Sequence, residues 1–209
     1  MAIEAKKPSR KYTVGAQYIA FNTPDANGGW TSDFDDTVIK LPTITTVSIT
    51  DDADSYETYA SGDVYDADVV IGKKEIQETN IAFPEELLAR MRGDTVDEGV
   101  IAEGGISTRP FFAFGLVIIK KDGSKDLRWY PKCKLAENTD EAETSEAANK
   151  DQTDDITINA YGFDTNQTKV IRLLTSIEGY ESVTENAFFA APILTVAAAK
   201  ALKPQQAGG

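Results

Sequence analysis

Apolar residues in this chain alternate with polar ones at a spacing of two far more often than at helical spacing, so strands dominate the reading. The clearest example lies between residues 109 and 135. Two apolar runs flank an Asp122-Gly123 pair, the signature of a β-hairpin turn. In the second run Leu127, Trp129, Cys133 and Leu135 fall on one face, and Arg128, Tyr130, Lys132 and Lys134 on the other. This spacing predicts a strand with one dry face and one wet, cationic face. Further strands are predicted over residues 12–21, 37–41, 43–50, 62–71, 73–83, 156–163, 169–175 and 188–196.

One segment carries helical signals throughout. Pro84 opens it, Glu85 and Glu86 fill its first turn, Arg90 and Arg92 its last, and Gly93 follows. These residues suit the dipole and the termini of a helix over 84–92, with Leu87, Leu88 and Met91 on one apolar face. Residues 22–36, 51–61 and 136–155 read as polar loops, 1–11 as a basic N-terminal arm and 197–209 as a C-terminal tail that could begin helical. There are no internal repeats. Many short strands with one flanking helix predict a single, mainly β domain, a β-sandwich over residues 12–196.

Composition narrows the chemistry. The net charge is −13, with 34 acids against 21 lysines and arginines, so binding DNA by phosphate neutralisation is not expected. No histidine is present, which removes the commonest general base and any His-containing metal site. The single cysteine, Cys133, sits on an apolar face and reads as an inert buried thiol. Neither a signal-like apolar core nor a stretch long enough to span a membrane occurs, so synthesis in a cytoplasm and no membrane partner are expected.

Candidate sites are few. Asp33, Asp35 and Asp36, and separately Asp51, Asp52 and Asp54, resemble calcium ligands only in composition, because neither continues into a twelve-residue cation loop. They read as surface acids. No phosphate cradle or catalytic constellation is visible, so neither enzymatic activity nor a cofactor is expected. Trp30, beside Gly28-Gly29, is either a contact residue between subunits or a local packing plug.

Several stretches, taken in order, resemble the major tail proteins of phages with long, non-contractile tails that infect Gram-positive bacteria. They are Tyr59-Ala-Ser-Gly-Asp-Val-Tyr65, the apolar-alternating 66–71, the 81–93 helix, Pro110-Phe-Phe-Ala-Phe-Gly115, Asp122-Gly123, Arg128-Trp-Tyr-Pro-Lys132, Asp140-Glu-Ala-Glu-Thr144 and Asp155-Ile-Thr-Ile-Asn-Ala160. The resemblance spans about residues 37–163. It implies a tail-tube subunit in the virion: a sandwich that joins its sheets into hexameric rings, which stack into a tube and let double-stranded DNA pass without binding it. Tape-measure, terminator and distal-tail proteins are the other implied partners, and no catalytic residue is implied.

On that reading, residues 43–49, 51–61 and 136–155 lie at subunit contacts, with Trp30, Asp51, Asp52, Asp54, Tyr56 and Tyr59 as contact residues. Asp66 and Asp68, on the polar face of a strand, face the lumen. Three other readings stand beside it: another ring-forming tail component, a carbohydrate-binding or adhesin-like sandwich using an aromatic platform, and a carboxylate-dependent hydrolase.

Overall fold

A computed structural model describes residues 7–61, 63–104, 108–139 and 153–204. The described strands are β1 (Lys11–Phe21), β2 (Ile39–Leu41), β3 (Ile44–Ala60), β4 (Asp63–Asn80), β5 (Thr95–Asp97), β6 (Val100–Ala102), β7 (Phe112–Lys120), β8 (Lys125–Thr139), β9 (Asp154–Ala160) and β10 (Ile171–Leu174). Three short helices join them: α1 (Glu85–Arg92), α2 (Glu185–Phe188) and α3 (Val196–Ala201). The fold is mainly β and antiparallel, consistent with a β-sandwich-like architecture. α3 falls where the C-terminal tail was read as able to begin helical, and α2 is a further helix.

The main sheet runs β2-β1-β7-β8-β9-β4-β3, with β10 added to β8, and it curls until β3 lies against β1. The Asp122-Gly123 turn joins the central strands as read from the sequence. Gly123 takes φ 81°, and Asp122 Oδ1 accepts from the Ser124 amide at 3.0 Å and the Ser124 hydroxyl at 2.7 Å. Inside the curl, Ile19, Phe21, Ile76, Phe112, Phe114, Tyr130, Cys133 and Ile158 form one core, closed at one end by Leu87, Leu88 and Met91 of α1. Gly93 ends α1 in the left-handed region at φ 82°.

A second core covers the outer face of β1, β7 and β8, where Ala113, Val117, Leu127 and Trp129 meet Phe188, Phe189 and Ile193. β7 is apolar almost throughout because both of its faces are covered.

This arrangement corrects the one-dry-face reading of β8. Phe112 pairs with Cys133 and Phe114 with Tyr130, so one residue of β7, Ala113, lies opposite two of β8. The extra residue falls at Pro131-Lys132, and proline, with no N–H to give a ladder, suits such a bulge. The bulge reverses the alternation: Leu127 and Trp129 join the outer core, whereas Tyr130, Cys133 and Leu135 join the inner one. Arg128, expected on a wet face, is buried. Cys133 is fully buried and donates to the Tyr130 carbonyl at 3.3 Å; burial pushes its thiol pKa up.

Other boundaries shift too. The strand expected at 188–196 is instead the end of α2 and an irregular segment. Thr184 caps α2 by accepting from the Ala187 amide at 3.2 Å, and Trp129 Nε1 donates to the Phe188 carbonyl at 3.1 Å, so this apolar run lies on the sheet rather than in it. The loop expected at 51–61 is the outer part of β3, and the two strands expected at 62–71 and 73–83 are the single strand β4. Residues 136–139 and 154–155 belong to β8 and β9. The central part of the expected acidic loop, 140–152, and the ends of both arms, 1–6 and 205–209, lie outside the described residues.

Candidate self-association surface

β3 and β4 outgrow the rest of the sheet. β9 pairs with β4 only from Lys74 to Asn80, so residues 51–60 and 63–73 continue as a two-stranded ribbon with no third strand among the described residues. Ten residues per strand carry it roughly 33 Å from the body at strand rise. Its root is fixed by charge: Asp51 lies opposite Lys74 and is ion-paired with it, and Asp52 lies opposite Lys73. Gly72 is the extra residue of a bulge just beyond, between the Asp52–Lys73 and Ala53–Ile71 pairs.

Directly opposed residues in an antiparallel pair share a face. Tyr56 opposes Asp68, Thr58 opposes Asp66 and Asp54 opposes Val70, which makes one face acidic. Ala53 opposes Ile71, Ser55 opposes Val69 and Glu57 opposes Ala67, which makes the other largely apolar. Both faces are open to solvent: Val69 is 61% exposed, Ile71 43% and Tyr65, nearer the tip, 79%. An apolar strand face that nothing covers is the expected mark of an interface.

The sequence-derived contact residues therefore divide. Asp51, Asp52, Asp54, Tyr56 and Tyr59 all lie on the ribbon, though in a strand rather than a loop, and Tyr59 donates a hydrogen bond to Glu57. Asp66 and Asp68 lie on its acidic face. Trp30 stands apart and half-buried. Its Nε1 donates to the Pro131 carbonyl at 3.3 Å, its ring lies 6.4 Å from that of Phe163, and Lys132 Nζ sits 5.4 Å from its centroid. The apolar residues Val69 and Ile71 were read only as a strand, because sequence could not say that nothing packs on them.

Two buried polar clusters mark the body. Asp126 accepts from Arg128 Nη2 at 2.7 Å and from Arg172 Nε at 3.2 Å. Glu78, on β4, is buried with no cation bonded to it; the Gln17 amide lies 2.8 and 3.0 Å from its two oxygens and 2.6 Å from Asn80 Oδ1. Burial pushes the Glu78 pKa up to about 8. Among the described residues no group of three His, Cys, Asp or Glu side chains is placed to hold a metal ion, and no helix is long and apolar enough to cross a membrane.

No family model matches the sequence, and no curated protein matches it. Among solved structures, a chain from the sheath–tube complex of an extracellular contractile injection system in its extended state is similar, at 13% identity and a TM-score of 0.39. The alignment covers 74% of this chain and 87% of that one. A likeness of this size carries no functional weight.

Proposed function

We propose that this chain is a structural subunit of a phage tail tube, which assembles into stacked hexameric rings through which double-stranded DNA leaves the virion. The ribbon carries the reading. A two-stranded ribbon is marginal on its own in water. This one bears an apolar face with Ala53, Ala67, Val69 and Ile71, and an open strand edge on each side. A monomer has little use for such an edge, whereas a ring satisfies it by pairing with the next subunit. The ordered tail-protein-like stretches in the sequence support the same class.

In this reading the apolar face packs on neighbouring subunits and the acidic face, with Asp54, Asp66 and Asp68, turns toward the lumen, where like charge keeps DNA sliding. The role is mechanical, without a catalytic step or cofactor. The other partners are the length-setting, terminating and distal components of the tail.

Negative-stain electron microscopy and size-exclusion chromatography of the purified chain test this directly. Tubes or stacked rings are expected for the parent. The Val69→Asp/Ile71→Asp variant, altered where the side chains are exposed, is expected to remain a folded monomer. Tubes formed equally well by that variant would remove the ribbon from assembly. Replacing Asp66 and Asp68 by lysine should leave tubes intact and make them retain DNA; tubes that stay free of DNA would count against the lumen assignment.

A further inference from the structure

Beyond the apolar core, the inner face of the curled sheet turns cationic. Arg128 lies directly opposite Leu116 on one side and Arg172 on the other, and Lys74 lies opposite Ala160. Leu116 and Ala160 belong to the inner core, so the three cations share its face. With Lys11 of β1 they line a cavity of about 230 Å³ at the end of the curl away from α1. Tyr130 and aliphatic side chains complete the wall, and no acid is among the lining residues.

The charge there is not balanced. Arg128, 7% exposed, is held by Asp126 at 2.7 Å, and the same carboxylate holds Arg172 at 2.5 Å. Asp51 is ion-paired with Lys74. Four cations thus share two carboxylates, in a chain whose net charge is −13. Two positive charges face a partly enclosed space without a counter-charge among the described residues, which is costly until an anion enters. Arg128 also hydrogen-bonds the Tyr130 hydroxyl. A guanidinium can only donate, so the phenol keeps a proton of its own to give.

We propose that this mouth of the curl binds a small, doubly charged oxyanion of the phosphate type. Arginine and lysine hold such a group through charge-assisted hydrogen bonds, and the unmatched charge of the cavity equals that of one dianion. The aliphatic wall offers no ring to stack on a base, and Tyr130 is 1% exposed, so a free ion fits better than a nucleotide. Mouths of closed sheets are common ligand sites because they bring together strands that no ladder joins. Here β1 and β4 are not neighbours in the sheet, and an ion touching Lys11 and Lys74 would tie them. Lys74 is also the root of the ribbon, so occupancy would fix the point from which the ribbon leaves the body.

Titration calorimetry of the full chain with inorganic phosphate, at constant ionic strength in chloride, tests the site. One saturable site per chain is expected. Lys11→Ala, at an exposed position, should weaken it roughly tenfold. Lys40→Ala removes the same charge from an exposed position outside the cavity and should leave binding unchanged. Phosphate should also slow amide exchange at Lys73 and Lys74 in the parent and not in the Lys11→Ala chain. Sulfate, with the same shape and charge, should compete, whereas adenosine monophosphate should not. Equal competition by the nucleotide would overturn the restriction to a free ion. No saturable heat, or equal losses in the two lysine variants, would overturn the site. Binding is read on each subunit whether or not it assembles, so either failure leaves the tube reading untouched.

Discussion

Tyr18 and Phe189 stack with their ring centroids 3.9 Å apart and their planes 5° from parallel, and the stack rests on Gly115. A Cβ at Gly115 would meet Phe189 Cε1 at 2.7 Å and Tyr18 Cβ at 2.9 Å. β7 can pass beneath the outer core only because this residue has no side chain. Gly115→Ala should therefore destabilise the fold by about 1–3 kcal/mol, measured by urea unfolding. A neutral result would mean that the stack can slide without loss.

Asp126 is the single carboxylate between Arg128 and Arg172. Burial alone would raise its pKa, but hydrogen bonds and charge from the two arginines outweigh burial and hold it below the ordinary carboxylate value. With the folded pKa depressed, its contribution is present above the unfolded carboxylate range and is lost as pH falls through the folded pKa. Asp126→Asn should cost about 3 kcal/mol near neutrality by leaving Arg128 charged and buried. That difference should shrink in acid.

Glu78 behaves in the opposite sense. Its folded pKa is raised from 4.5 to about 8, because burial outweighs the hydrogen bond from Asn80. The folded state keeps its proton where the unfolded chain has released it, so stability should fall as pH rises from about 4.5 to about 8 and then level off. Glu78→Gln removes the titration while keeping the shape. It should flatten that slope and exceed the parent's stability above pH 8, and chemical denaturation across pH reads both effects.

Trp30 offers a test of two roles that the sequence left open. Its indole already bonds to Pro131 and packs near Phe163. Trp30→Ala is expected to cost roughly 1–2 kcal/mol of subunit stability while leaving the assembly concentration unchanged. The reverse pattern would make it an interface residue.

What could be read without coordinates follows from how local each signal is. The Asp122-Gly123 turn and the Pro84-to-Gly93 helix are written in neighbouring residues, and both stand where the sequence places them. Cys133 and Leu135 were placed on the face of Trp129 because the bulge at Pro131 reverses parity between them, and only the pairing with β7 reveals the extra residue. Arg128 was read as wet because nothing local shows that both faces of β8 are covered. Asp51 to Tyr59 looked like a loop because strand alternation is most visible when one face is buried, and on the ribbon neither is. Phe188, Phe189 and Ile193 suggested a strand because apolar residues covering a sheet resemble those within one. The cationic cavity was illegible for another reason: Lys11, Lys74, Arg128 and Arg172 are far apart in sequence, and only the curl of the sheet gathers them.

The ribbon has a kinetic consequence. Beyond Lys74, among the described residues, its backbone hydrogen bonds have no third strand behind them and no core above them, so they can open while the curled body stays closed. In a free subunit, amide protons of residues 53–71 should exchange with solvent far faster than those of β7 and β8. In the proposed tube, each incoming copy would have to order that segment as it docks, which would slow the first encounters more than later additions to an ordered template. Growth would show a lag that preformed ends abolish, and a cell could hold a large pool of subunits in solution until an initiating complex supplies the first ring.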